Sequence, residues 1–216
     1  SETKSEVEGC IERYGKSPTA LFEELGLFNY GGGAYHSVWV DGSDLEIYKK
    51  RGVWAVINAG SNCKLASGIA PVSKMMDLGI NLAVGTDGPA SNNALDMFRE
   101  MYLIAATQKI NDCDAASTDA NAILKAATIG SAYCMGLDEC DVIDEGKTAD
   151  LIVIDMHRPN MQPINNITKN IVYSGSKENV KMTMINGKIL YENGEFINTD
   201  IERIYSEAQA VIDRIK

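Results

Sequence analysis

Three apolar stretches of this chain each run into a polar side chain. GGGAY (31–35) is followed by His36, VWAVI (53–57) by Asn58, and INLAV (80–84) leads through Gly85 and Thr86 to Asp87. A histidine and a carboxylate at neighbouring strand ends are metal ligands by type, or an acid/base pair. Taken singly, each has a plainer explanation: a lone histidine is commonly a core or surface group, and an aspartate before glycine is commonly a turn residue. Three in succession favour the functional reading. Zinc hydrolysis takes about three protein ligands plus a water, and His36 with Asp87 falls short of that. The only other histidine, His157, lies in MHRPN (156–160), which reads as an exposed loop.

The elements that must position these residues can be read from caps and periodicity. Thr3-Lys4-Ser5-Glu6 has the spacing of a capping box, with apolar residues at Val7, Cys10, Ile11 and Tyr14 and a stop at Gly15. A short helix is expected over about 19–25, and others over about 44–50, 71–78, 94–109 and 119–133, the last closed by Gly136. Strands fall between them. Continuous apolar strands alternating with helices indicate a parallel sheet covered on both faces. His36 and Asn58 lie 22 positions apart, Asn58 and Asp87 29, close to the roughly 31 per unit of an eightfold α/β barrel. In such a barrel the strand ends open on one face, where active sites form. A doubly wound open sheet fits the same periodicity.

Beyond about residue 138 the character changes. DLIVID (150–155) reads as a strand, and KMTMI and ILY flank Asn186-Gly187, the dipeptide of a tight hairpin. We therefore divide the chain into an α/β part (1–138), a β-rich part (139–198) and a closing helix (199–216).

Composition narrows the function classes. A chain of 216 residues with 45 % hydrophobic content is long enough for a sizeable core. A net charge of −10 opposes phosphate backbones, so nucleic acid is not expected as a partner. The sequence has no long apolar run and no signal-peptide pattern at its polar opening, which predicts no membrane association and a cytoplasmic location. Five dispersed cysteines without a C-x-x-C pair read as reduced thiols.

SNCKLASGIAPV (61–72), LAVGTDGPASNNALDMFREM (82–101), GKTADLIVIDM (146–156) and INGKILYENGE (185–195) together resemble the amidohydrolase superfamily, and within it the 5-methylthioadenosine/S-adenosylhomocysteine deaminases. The resemblance covers nearly the whole chain. It implies the C-terminal part of a metal-dependent (β/α)8 TIM barrel, strands six to eight with their helices, plus part of a small β-sandwich. It further implies a divalent metal, zinc or iron, and a small nucleoside substrate deaminated by hydrolysis.

By this resemblance Asp87 corresponds to the strand-eight aspartate that binds the metal and takes a proton from the attacking water. His36 corresponds to the strand-six histidine facing hydroxide and substrate, and Glu2 to the glutamate that shuttles a proton to the purine ring. Ser61 and Asn62, like Asn58, fall on the substrate pocket. The family's H-x-H pair and strand-five histidine do not occur in these 216 residues, so this chain is expected to carry part of a site. Two departures stand out: Ile57-Asn58-Ala59-Gly60 replaces the usual His-Asn-Pro, and Asn160 and Asn170 occupy positions where relatives often carry histidine. Two alternatives remain open. One is a different amidohydrolase reaction, guanine deamination or hydrolysis of a chlorinated heterocycle. The other is a non-catalytic half-barrel whose bare sheet edges associate with another chain, for instance as a homo-oligomer.

Overall fold

The computed structural model of the chain describes residues 1–215. Helix α1 (Lys4–Tyr14) opens as its sequence predicts: the Thr3 hydroxyl accepts from the Glu6 amide, the Glu6 carboxylate accepts from the Thr3 amide, and Gly15 ends the helix at φ 71°. Helix α2 (Pro18–Glu24) starts on Ser17, with proline at its first position, where a missing N–H costs nothing. The chain then enters β1 (Gly33–Tyr35), α3 (Gly42–Arg51), β2 (Trp54–Ile57), α4 (Ala59–Lys64), α5 (Val72–Asp77), β3 (Leu82–Val84) and α6 (Pro89–Asn92).

The three strands form a parallel sheet in the order β1-β2-β3, with Ala34 beside Ala55 and Val56 beside Ala83. Each is shorter than its apolar run. β3 stops at Val84, although the Gly85 amide still donates to Ile57 O, and Gly85 packs so tightly on Asn58 that a Cβ there would lie 2.5 Å from Asn58 Oδ1. Asp87 therefore stands three residues past the strand rather than at its last position.

Leu45 and Tyr48 of α3, Val53, Ala55 and Ile57 of the central strand region, Met75 of α5, Ile104 and Ala105 of α7 (Met97–Asp112) and Ile123 of α8 (Ala120–Lys125) make one contiguous buried cluster. Each large aliphatic side chain in it contributes about 1.5–3 kcal/mol of burial. After α8 a single π turn (Ala126–Gly130) leads into α9 (Ser131–Cys134), and Gly136 follows at φ 69°. That turn lies along the outward edge of β3, where Ser131 Oγ accepts from the Val84 amide at 3.2 Å. Of the two sheet edges only β1 is bare, with Gly33 and Tyr35 exposed.

The second sheet is antiparallel, in the order β4 (Leu151–Ile154), β5 (Val180–Ile185), β6 (Lys188–Glu192), β7 (Glu195–Phe196). Asn186 and Gly187 turn the hairpin with φ 48° and 73°, the left-handed pair that such a turn needs. Helix α10 (Ile167–Ser174), which the sequence reading missed, packs on α7 and α8 and sends Val172 into the main core. Helix α11 (Ile201–Ile215) buries no residue. The five cysteines are unpaired, and no described helix is long and apolar enough to cross a membrane.

Candidate active site

His36, Asn58 and Asp87 emerge at the same end of the parallel sheet, and two of the three leave it in unusual backbone conformations. His36 has φ 66°, Ser37 beside it 49°, and Asp87 59°. Left-handed geometry in non-glycine residues costs on the order of 1–3 kcal/mol each and persists only where surrounding contacts impose it. Here it aims two side chains at each other: His36 Nε2 lies 3.9 Å from Asp87 Oδ2. Glu2, held at the start of the chain because Ser1 O accepts from the Val38 and Trp39 amides, brings Oε2 within 3.7 Å of the same nitrogen. The three side chains keep 15 % (His36), 28 % (Glu2) and 33 % (Asp87) of their surface exposed, enough to meet a ligand.

Each is fixed by small polar neighbours. Ser61 Oγ and Ser91 Oγ both donate to Asp87 Oδ2 at 2.7 Å, and the Gly88 amide donates to Oδ1 at 2.8 Å. The Ser91 and Ser61 hydroxyls, followed by the Gly88 amide and the nearby imidazole, hold the Asp87 carboxyl below the ordinary range against a smaller opposing effect of burial. His36 Nδ1 pairs with Asn62 Oδ1 at 2.8 Å, which assigns the proton to Nδ1 and leaves Nε2 to face the two carboxylates. Ser67 Oγ donates to Glu2 Oε1 at 2.9 Å, and Ser67 is itself tied by the Trp39 indole through its carbonyl.

The structure thus brings Glu2, His36 and Asp87 together. Ser61 and Asn62 lie beneath them, buried and turned toward Asp87 and His36, and Asn58 is enclosed against Gly85 with 2 % of its surface exposed. His157 is exposed and far from this cluster in the chain, as its loop sequence predicts. Asn160 and Asn170 donate to backbone carbonyls, Ser174 O and Met161 O respectively, so their role is packing of the β-rich part. Sequence reasoning missed Ser91, Ser67, Asn92 and Glu100. The last is a fully buried carboxylate whose Oε2 accepts from the Gly60 amide and whose Oε1 accepts from Asn92 Nδ2, both at 2.7 Å.

As metal ligands the donors fit in kind and fall short in number. An imidazole and a carboxylate suit zinc, but among the described residues no three His, Cys, Asp or Glu side chains gather as a metal-holding cluster.

A short parallel sheet flanked by helices, with a histidine and two carboxylates gathered at one end of it, is what part of an α/β barrel presents at its active-site face. Comparison with known proteins makes this specific: the model of the amidohydrolase family matches residues 1–190, and the chain belongs to that family. A 5-methylthioadenosine/S-adenosylhomocysteine deaminase of Caldanaerobacter subterraneus subsp. tengcongensis is 42% identical over 210 residues, 97% of this chain and 48% of that protein. A 5'-deoxyadenosine deaminase of Methanopyrus kandleri is 37% identical over 215 residues, 100% of this chain and 50% of that protein. Among solved structures, an adenosine deaminase from Xanthomonas campestris with bound zinc superimposes with a TM-score of 0.95 at 35% identity, covering 99% of this chain and 49% of that one. The zinc complex of atrazine chlorohydrolase from Arthrobacter aurescens gives 0.90 at 24% identity, over 97% of this chain and 47% of that one, a likeness of fold alone. The chain spans about half the length of the curated relatives it matches.

Proposed function

We propose that this chain carries the strand-six to strand-eight portion of an active site for hydrolytic deamination of an adenosine derivative of the 5-methylthioadenosine or S-adenosylhomocysteine type. The observation that carries the reading is the convergence of Asp87, His36 and Glu2 at one end of the sheet, in a chain about 40% identical to deaminases of those substrates. On this reading residues 1–138 are part of a (β/α)8 barrel, 139–198 part of a β-sandwich, and 199–216 a closing helix.

Asp87 and His36 would hold a divalent metal, zinc as in the Xanthomonas relative, together with ligands beyond this set. When bound, such a metal supplies the acidity that makes water a nucleophile near neutral pH. The rest follows from side chains. Asp87, kept ionised by its two serines, accepts the proton of the attacking water. His36, with its Nδ1 proton engaged by Asn62, presents an Nε2 lone pair that can ligate a metal or accept a hydrogen bond from the attacking water. Glu2, oriented by Ser67, passes a proton to the purine ring so that ammonia can leave. Asn58, Ser61 and Asn62, almost wholly buried, would act beneath the substrate pocket, Ser61 and Asn62 by fixing Asp87 and His36.

The test is ammonia release from 5-methylthioadenosine and S-adenosylhomocysteine by the protein at its natural length, with metal content by plasma mass spectrometry alongside. Asp87→Ala is expected to lower turnover by about 10²–10⁴-fold, the range for loss of a general base. Turnover unchanged by that substitution, or a preparation that deaminates both substrates with no metal at all, overturns the reading.

A further inference from the structure

We propose that Glu100 is a positioning residue, whose buried carboxylate sets the spacing of the two loops that carry the candidate active site by accepting one hydrogen bond from each. The first loop is the start of α4. Its cap residue, Asn58, makes no side-chain capping bond, and Glu100 Oε2 takes the Gly60 amide at 2.7 Å from a position 40 residues away in sequence. Ser61 and Asn62, which follow directly, hold Asp87 and His36. The second loop is 85–92. Here Glu100 Oε1 accepts from Asn92 Nδ2, and the same nitrogen donates to Thr86 O at 2.6 Å, one residue before Asp87. One carboxylate therefore holds the α4 turn that steadies Asp87 directly and, through Asn92, the residue that precedes Asp87.

The fit is close. A Cβ on Gly60 would lie 2.3 Å from Glu100 Oε1 and within 2.8 Å of the Asn92 amide, so glycine at position 60 is what lets the backbone reach the carboxylate. Glu100 is 0 % exposed and touches neither solvent nor the candidate pocket, which separates it from groups that meet a substrate. A carboxyl group suits the site, although burial pushes its pKa up against the Gly60 and Asn92 bonds that hold it down. Two donors converge on the group, and a carboxylate offers them two acceptors, whereas an amide offers one acceptor and would turn its own NH2 against the other donor. The cost of an acid in the core is acceptable only where its bonds do more than fill space.

This inference rests on the proposed reading of Asp87 and His36 as reacting groups, but its test reads geometry independently of turnover. Glu100→Gln, nearly isosteric, is compared with wild type by amide hydrogen exchange and 15N chemical shifts. Because the amide keeps one acceptor, one of the two bonds is expected to break: either exchange at Gly60 quickens by about tenfold or more, the loss of one buried hydrogen bond, with shifts displaced at residues 60–62, or shifts are displaced at 86–88. The interiors of β2 and α7 should keep their wild-type protection. Asn92→Ala serves where Glu100→Gln does not fold: it cuts one arm, so changes should appear at 86–88 with Gly60 still protected. Uniform acceleration across the chain in the variant that folds, or no local change, overturns the proposal and reduces Glu100 to a core contact. In steady-state assays the positioning role predicts a fall in kcat larger than the rise in KM. A wild-type protein inactive on both substrates would sink the deaminase reading while leaving the exchange result to decide this one.

Discussion

At the scale of single residues, Asp87 and Gly60 carry the sharpest expectations. The Asp87 carboxyl is held low by Ser91 and Ser61 hydroxyls first, and then by the Gly88 amide and His36. A carboxyl with a depressed folded pKa adds stability above its unfolded pKa, about 3.9, and that contribution is lost as pH falls through the lower folded value. Asp87→Asn removes it. The gap between wild-type and variant urea midpoints is therefore expected to narrow as pH drops from about 6 to about 3, and a gap that stays constant contradicts the assignment. Gly60→Ala forces a methyl into the Glu100 carboxylate and should cost about 1–3 kcal/mol in urea denaturation, as overpacked cores do; a neutral substitution would mean that the α4 turn is looser than the structure shows. The convergence of His36 and Asp87 was legible in sequence, because histidine and aspartate at the ends of successive apolar runs are rare company. Of their partners, Ser61 and Asn62 were reached only through the family resemblance. Ser67, Ser91 and Asn92 belong to residue types found in every loop, and only their aim in three dimensions distinguishes them. Glu100 was hidden differently: one glutamate in MFREM looks like the solvated face of an amphipathic helix, and nothing local reveals that this position faces inward.

At the scale of elements, caps and turns were the strongest signals. Thr3 with Glu6, Gly15, Gly136 and the Asn186-Gly187 pair all do in the structure what their spacing predicts. Three helices escaped, the shortest being the four-residue α6. AGSNCK (59–64) has no apolar periodicity, since α4 turns its residues to the candidate site rather than to a core stripe, so it reads as a polar turn. α10 carries a proper cap, the Asn166 side chain accepting from the Lys169 amide, but its eight residues lie between strands and were absorbed into a β-rich reading. The π turn was also invisible, because its cause is tertiary: it lets Gly130 and Ser131 reach the edge of β3. A Cβ at Gly130 would lie 2.3 Å from Leu82 O, and Ser131 Oγ is the partner of the Val84 amide. Ser131→Ala leaves that buried amide unpaired and is expected to cost about 1–3 kcal/mol. Gly130→Ala should cost more, since backbone cannot yield as a side chain can. Chemical denaturation of both variants checks the order, and a Ser131→Ala protein as stable as wild type would show that the edge is satisfied in another way.

At the scale of the whole molecule, the described surface is unbalanced. The β1 edge is bare, the second sheet shows Ile152 at 48 %, Val153 at 42 % and Phe196 at 52 %, and α11 leaves Ile204 at 48 %, Val211 at 44 % and Ile215 at 76 % exposed along one face. Apolar area on this scale marks association surfaces, and an unpaired strand edge adds backbone donors and acceptors in search of partners. Opposing this is a net charge of −10, which keeps copies apart at low ionic strength. The two tendencies depend differently on salt: screening weakens repulsion beyond a Debye length of about 10 Å at 0.1 M, while burial of apolar surface is little affected. The 216-residue chain on its own is therefore expected to self-associate, and to do so more strongly as sodium chloride is raised. Sedimentation velocity over a concentration series at low and high salt measures both effects. A mass that grows with concentration and grows further with salt supports apolar contact restrained by charge. Association that weakens with salt would point to ion pairs instead, and a monomer under all conditions would mean that these exposed faces do not associate at all.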